Sequence, residues 1–499
     1  MRNFKFYLST LALHARVLGG FLLAASLAVG CGDSPSRDAG SGYDAGDAGG
    51  VGDAGDVGTG DADADAGGTE NNSPGEFELA GCTSAARGAQ PSAQLPQVTN
   101  RESEYQIELE RWGIHADGTH AQETTDGLNE ALAWAKQNGH GTVRLGAGTY
   151  LVGEEINAQY AGGVVLPGGL VFALDPDAVI QMAPNDRWNY CVVAVVGAQD
   201  VIITGGQIRG ERDAHTFAGG GAHDEGHTIC IERESERVLV ENTRLSHGTG
   251  DGVLIVGAGE AGSSSKHITI RKNEIFNHRR QGVSIVGGTN IVVEENEIHH
   301  ISGVAPQFGV DIESLHYKSQ DILIRGNHFH QNQGGDYVNT DGRNVWLVDN
   351  IMDQTGLQER QTDGPVVHWA ETDQVIRNNT ITVTVGSSNG RWAIIGYGSD
   401  RETTAVNYIE DNVFHGGGIH MANTRRMQVT GNTVKDWQIL GTDVSCLKFD
   451  DNAVEYDGGE PYKFRNMYGE ASGNTLNGEP VDLAFSPDSP FTNSPPHMW

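Results

Sequence analysis

The sequence predicts an all-β fold, a parallel β-helix solenoid closed at its N-terminal end by a short α-helix. Two observations carry this. A β-rich run ending in Asn recurs at Asn242, Asn273, Asn296, Asn327, Asn350, Asn379, Asn412, Asn432, Asn452 and Asn474, with spacings of 31, 23, 31, 23, 29, 33, 20, 20 and 22 residues. Units of this length, with several short strands and no helix each, stack because a single unit cannot bury its own apolar face. Asn suits the position because it tolerates left-handed turn geometry, and stacked copies can hydrogen-bond from coil to coil. The second observation is Thr125–Gln137, which carries Leu128, Ala131, Leu132 and Ala135 on one helical face. Thr124 or Thr125 serves as its N-cap and Asn138-Gly139 as its stop. A solenoid end would expose its core, and an amphipathic helix covers it.

The chain divides by composition. Residues 1–30 carry Arg2, Lys5 and Arg16 ahead of the apolar run Val17–Val29, the pattern of a secretory signal. Its end, Leu27-Ala28-Val29-Gly30-Cys31, resembles a bacterial lipobox, which implies cleavage before Cys31 and lipidation there. Gly32 rather than Asp follows, which favours an outer-membrane or cell-surface lipoprotein. Residues 31–78 are a disordered Asp/Ala/Gly-rich tether, 79–103 an irregular lead-in, 104–485 the β-helix and 486–499 a tail. The formal net charge of −33 excludes nucleic acid as a partner and requires a local cation for any polyanionic substrate. Cys82, Cys191, Cys230 and Cys446 lack metal-ligand spacing and allow one disulfide of undetermined pairing. The oligomeric state is left open.

Glu104–Trp112 reads as a strand, followed by Gly113-Ile114-His115-Ala116-Asp117-Gly118, the helix, Thr142-Val143-Arg144-Leu145 and Gly146-Ala147-Gly148-Thr149-Tyr150. This order resembles the N-terminal cap of the pectate-lyase superfamily of right-handed β-helices, W/F-G-x-x-x-D-G-x, a helix and V-x-L-P-x-G-T-Y, with the usual Pro missing. The resemblance implies a right-handed coil over residues 104–480 and a carbohydrate-directed activity. No member family is reproduced. Gly248-Thr249-Gly250-Asp251-Gly252 looks like the Gly-Asp-Asp rung of polygalacturonases with Gly252 for the second Asp. Gln281-Gly282-Val283-Ser284-Ile285 resembles their Gly-His-Gly-x-Ser-Ile rung with Arg280-Gln281 for Gly-His. Asn339-Thr340-Asp341-Gly342 equals their N-T-D-G but follows the other rungs instead of preceding them. The D-P-H-E motif of mannuronan epimerases is approximated by Asp311-Ile312-Glu313-Ser314-Leu315-His316.

Candidate site residues follow from strand alternation. With Ile229, Val253, Val283, Val310, Val338 and Val367 inward, the outward pairs include Cys230/Glu232, Asp311/Glu313, Asn339/Asp341 and His368/Ala370. This stacking puts Glu313 about 5 Å and Asp311 about 8 Å from Asp341. Asp311, Glu313 and Asp341 then form a candidate Ca²⁺ site, since a hard cation takes several oxygen ligands. Asp251, Arg279, Arg280 and Asp311 are the candidate catalytic residues, and Glu232, Asn339, His316 and His368 the substrate-binding ones. His215, His223 and His227 in a polar insertion are a further metal candidate.

The expected function is a membrane-anchored enzyme acting on a uronate-containing polysaccharide by β-elimination. There the ion neutralises the sugar carboxylate and Arg279 or Arg280 serves as the base or as a second carboxylate clamp. Hydrolysis with Asp311 and Asp341 as acid and base, epimerisation, and non-catalytic glycan binding are the alternatives.

Overall fold

In this computed structural model the described residues are 84–486 together with 77, 79 and 82, apart from 154–161, 220–221, 258–263, 315–317, 359–363, 370–372, 387–389 and 398–403. The signal sequence, Cys31, nearly all of the tether, His316 and residues 487–499 lie outside them.

Three parallel ladders wind along one axis. The first contains Glu225–Glu232, Val253–Val256, Val283–Val286, Phe308–Ile312, Gly335–Asn339 and Val366–Trp369. The second contains Glu236–Glu241, Ser265–Arg271, Gly288–Glu294, Ser319–Arg325 and Arg343–Val348. The third contains Arg244–Ser246, Glu274–Phe276, Glu297–His299, His328–His330 and Ile351–Asp353. Each strand pairs in register with its counterpart one coil on, as in Ile268↔Ile291 and Leu245↔Ile275. Like therefore stacks on like inside the coil. Ile268, Ile291, Ile322 and Val345 form one fully buried column, and Leu245, Ile275, Ile298, Phe329 and Met352 another. Each such side chain contributes about 1.5–3 kcal/mol on burial.

The Asn repeat is an internal hydrogen-bond ladder. The backbone N–H and side-chain Nδ2 of Asn273 both donate to Asn296 Oδ1 at 3.0 Å, and the pattern continues through Asn327, Asn350, Asn379, Asn412, Asn432, Asn452 and Asn474. Two details differ from expectation. Asn242 is exposed and outside the ladder, its place taken by Thr243, whose N–H donates to Asn273 Oδ1. The left-handed residue of each turn is the one before the stacked Asn, as at Lys272, Glu295, Asp349 and Asn378 with φ of 54 to 58°. Ladder Asn is thus selected for its amide and not for its backbone freedom. Asn350→Ala removes the acceptor for two Asn327 donors and leaves the carbonyls of Ile324 and Val348 without its Nδ2. We expect a loss of about 3 kcal/mol, since each buried group left unsatisfied costs about 1–3 kcal/mol. Asp349→Gly, which suits the left-handed turn, should be nearly neutral. Chemical denaturation checks both.

The cap helix runs Ala121–Gln137, four residues longer at its start than predicted, with left-handed His120 before it and no side-chain cap. Thr124 and Thr125 lie inside the helix, where Thr125 Oγ1 donates to the Ala121 carbonyl and accepts from Gly153 N–H. Leu128, Ala131, Leu132 and Ala135 are fully buried, as expected. Glu104–Trp112 splits into strand Glu104–Gln106 and helical turn Leu109–Trp112. The lead-in is a strap along the outside of the second ladder. Phe77 packs in an apolar cluster with Val292, Leu323, Trp346 and Tyr408. Arg87 pairs with Glu410 and covers the Tyr408 ring, and Val98 sits among Val171, Ile202 and Leu239. Two disulfides form, not one: Cys82–Cys446 pins the strap, and Cys191–Cys230 ties neighbouring strands.

Candidate active site

The site is built where strands of the first ladder begin. Asp224 and Glu225 precede or open one strand, Asp251 the next, Arg280 and Gln281 the third, while Asp311 points outward from within the fourth. Register places Ser284 between Leu254 and Asp311. The result is a floor and a rim. Asp251, Gln281, Ser284 and Asp311 are buried, whereas Asp224, Glu225, Arg280, Glu313 and Asp341 are partly exposed.

Asp251 is the most connected floor residue. Its carboxylate accepts from Ser284 Oγ at 2.8 Å and from Arg280 Nη1 at 3.1 and 3.3 Å. Its N–H donates to His227 Nδ1 at 3.0 Å, which fixes His227 as a neutral ring with its proton on Nε2. Burial raises the Asp251 carboxyl to about 6 against the opposing pull of Arg280 and Ser284. Asp311 Oδ2 accepts from Gln281 Nε2, and Gln281 Oε1 accepts from Phe308 N–H at 2.7 Å. Asp311 Oδ1 is buried with no hydrogen-bond partner. Burial first, then the Glu313 charge, hold the Asp311 carboxyl well above its ordinary range. Burial and Asp224 raise Glu225 to about 7. Arg280 moves in the other direction: burial disfavours its charge, but Asp251, Glu313, Asp311 and Asp224 outweigh that and keep it protonated.

Several expectations change. The base role for Arg280 fails, because the acidic groups around it, Asp251 first, hold its proton. Arg279 turns away and donates from Nη1 to the carbonyls of Ala222 and His223, its guanidinium over the Phe217 ring at 4.5 Å. It secures the 211–227 segment. The register slips at one coil: Val310 pairs with Tyr337 and not Val338, and Tyr337 pairs with Val366. Asn339 therefore points inward, fully buried, bonding Gln374 Oε1 and Gly342 N–H, and cannot touch substrate. Asp311 stacks on Val338, and Asp341 lies in the turn beyond the strand, where its Oδ1 accepts from Ser314 N–H at 2.6 Å. Among the described residues, Asp311, Glu313 and Asp341 do not form a convergent ligand set, and two of their oxygens are already engaged. Glu232 is 3% exposed, with its carboxylate within 4.8 Å of the Cys191 and Cys230 sulfurs. His368 pairs in register with Asn339. His316 lies outside the described residues.

Of the three candidate histidines, His215 and His223 are bonded to each other and His227 to the Asp251 N–H, so they do not gather as one ligand set. His215 Nδ1 meets Glu211 Oε1 at 2.7 Å, His215 Nε2 meets His223 Nδ1 at 2.9 Å, and His223 Nε2 donates to the Ala218 carbonyl at 2.9 Å. Sequence reasoning missed Gln281, Ser284 and Glu225 as site residues and assigned His227 to a metal instead of to Asp251. Polar residues flanking Asp251 and Asp311 on adjacent rungs were the available signal. A separate concavity of about 660 Å³ beside the cap helix is lined by Lys136 and Asp200, but Asp200 is tied to Arg237 at 2.8 Å.

Comparison with known proteins fits this architecture. The chain is 30% identical over 381 residues, 71% of its length, to the uncharacterized protein YclG of Bacillus subtilis, and 28% identical over 363 residues to the SPbeta prophage-derived uncharacterized protein YorA of the same organism. It spans only 63% and 60% of those relatives. Among solved structures it is similar to the A-module of mannuronan C-5 epimerase AlgE6 from Azotobacter vinelandii, with a TM-score of 0.57 and 14% identity over 76% of this chain and all of the module. It is also similar to the Streptococcus pneumoniae surface protein and adhesin PfbA, with a TM-score of 0.51 and 16% identity over 74% of this chain and all of the other. At such identities these two similarities show the fold alone. A family profile described as the right handed beta helix region matches residues 189–381 and 262–466, and the chain belongs to that family.

Proposed function

We propose that the protein is a polysaccharide-active enzyme using general acid–base catalysis, with hydrolysis now favoured over elimination. The observation that carries this is the pair of floor carboxyls in different surroundings, Asp251 against Arg280 and Ser284, Asp311 against Gln281 with one buried oxygen unbonded. Asp311 holds its proton while Asp251 ionises against Arg280. Such a division assigns acid and base. Asp311 protonates the leaving glycosidic oxygen, and Asp251 takes a proton from the attacking water. They stand two rungs apart, with Ser284 of the intervening rung bonded to Asp251 and Gln281 of that rung bonded to Asp311. Elimination loses the free Arg base it was expected to use. No step runs through Ca²⁺, because the expected ligands do not converge.

The reading is tested on a panel of neutral and acidic polysaccharides. Saturated reducing ends that form equally with and without chelator are expected. Unsaturated uronate absorbance abolished by chelator would restore the calcium-dependent elimination. The adhesive alternative draws support from the burial of Asp251 and Asp311 and from the likeness to PfbA. Binding without chain shortening or epimerisation in every polysaccharide of the panel would favour it.

Placement is also a proposal. Lipidated Cys31 anchors the domain at an outer membrane or cell surface, with the acidic tether between. Cys31→Ser should move the protein from the membrane to the soluble fraction. Retention in the membrane would reject the anchor.

A further inference from the structure

On the third ladder, away from the first-ladder carboxylates, four histidines gather on the outer face. Register stacks His299 on His330 and Glu297 on His328. The His299 and His330 rings lie parallel, 4.5 Å apart and 7° from coplanar orientation, and Phe276 continues the stack below His299 at 5.2 Å. His300 follows the strand in the left-handed conformation, φ 55°, which turns its ring edge-on to both neighbours, at 79° to His299 and 85° to His330. The His299 and His330 lone pairs lie in parallel planes, so one of these rings must turn about its Cβ–Cγ bond before both nitrogens, with that of the perpendicular His300, meet one ion. The ligand nitrogens of His299, His300 and His330 all lie within 4.8 Å of one another, and the Nδ1 atoms of His299 and His300 face each other at 2.6 Å.

We propose that His299, His300 and His330 bind a divalent transition-metal ion of the zinc class. Imidazoles this close cannot all be protonated without strong repulsion, which leaves lone pairs to donate. Nitrogen ligands select Zn²⁺, Cu²⁺ or Ni²⁺ over Ca²⁺ and Mg²⁺, which prefer oxygen. Zn–N bonds of about 2.0–2.1 Å fit the cluster once His299 or His330 turns out of the stack and the His299–His300 pair opens. The surroundings match the outer shell that such sites use. Glu274 Oε1 lies 3.5 Å from His299 Nε2 and so directs Nδ1 to the ion, while Glu297 Oε1 lies 3.1 Å from His330 Nε2. Glu274, which also pairs with Arg244, orients its ring, while Glu297, whose oxygen lies within 4.8 Å of the His328 and His330 nitrogens, can also reach the ion. Partial exposure of His330 gives the ion access and leaves a fourth position for water.

Titration calorimetry of the untagged full chain with zinc sulfate should show one ion per chain at affinity on the order of a micromolar or better, and calcium chloride should show none. Glu274→Gln, outside the ligand set, should weaken zinc by roughly ten- to a hundredfold. His300→Ala together with His330→Gln should remove the zinc heat and the zinc-dependent rise in melting temperature. The variant's melting temperature without metal should stay that of the parent, because both side chains lie outside the core. Absence of zinc binding in the parent chain, or binding that the double variant retains, would overturn the site.

Discussion

Arg280→Gln is expected to destabilise the domain by about 3–5 kcal/mol, the largest single effect we foresee on its fold. Arg280 is the only cation bonded to Asp251 among the described residues, and Asp251 has no exposed surface. Removing one member of a buried ion pair leaves the other charge uncompensated. Gln keeps a donor but no charge, so Asp251 must either remain ionised in a dry site or take a proton. That choice gives the effect a pH signature. Burial already raises the Asp251 carboxyl to about 6 in the folded chain, above its value when unfolded. A raised carboxyl binds more protons folded than unfolded, so its contribution to stability is greatest below the unfolded pKa. That contribution is lost as pH rises through the folded one. Without Arg280 the folded pKa climbs further and the window widens upward. The variant should therefore lie closer to the parent at pH 5 than at pH 8 in denaturant midpoint. Arg280→Lys should recover part of the difference, since it keeps the charge but not the planar guanidinium whose Nη1 spans both carboxylate oxygens. Equal losses at both pH values would mean that Arg280 stabilises by packing and not by charge.

The fold was legible because its determinants are periodic. Stacked Asn, apolar alternation and an amphipathic cap each leave a mark at fixed spacing. The site was less legible, and the Tyr337–Asn339 strand shows why. Register was inferred from polarity, with valines inward, and that coil inverts the rule. Inside lie Tyr337 and Asn339, satisfied by Gln374 at 2.9 and 3.3 Å. Outside, Val338 packs with Phe308 and Val367 in an apolar cluster separate from the core. A buried polar pair with a dedicated partner reads from sequence like a solvent face. One wrong register then carried Asn339 onto the site and set Asp341 in a calcium trio that the turn geometry does not assemble. Asp251, Arg280 and Asp311 survived because they lie on coils whose core positions are aliphatic. Gln281 and Ser284 were visible only as departures from another family's motif, and their role depends on which neighbour they reach one rung away. The strap failed to register for a different reason. It has no secondary structure, and its contacts with Trp346, Glu410 and Cys446 are all distant in sequence.

Asp311→Asn should abolish turnover, by about a thousandfold or more, while leaving the domain as stable as the parent or more so. The two halves of that expectation have separate causes. Asn retains an oxygen to accept from Gln281 Nε2, so the floor keeps its hydrogen bond. It also removes a carboxyl that burial and Glu313 disfavour as an anion. The sign is again that of a raised carboxyl: the parent loses stability as pH rises through the folded pKa of Asp311, and the variant does not. Any gain should thus be larger at pH 9 than at pH 6. Activity falls because Asn carries no transferable proton, and general acid catalysis contributes about a hundred- to ten-thousandfold. The pH profile of kcat/KM in the parent should rise through about 6 as Asp251 ionises, and decline at higher pH as Asp311 loses its proton. Asp251→Asn should remove the acidic limb together with most of the rate. An Asp311→Asn variant that keeps parental turnover, or whose loss of turnover merely follows loss of folded protein, would remove Asp311 from the chemistry. The rung would then be a structural polar network on a glycan-binding surface.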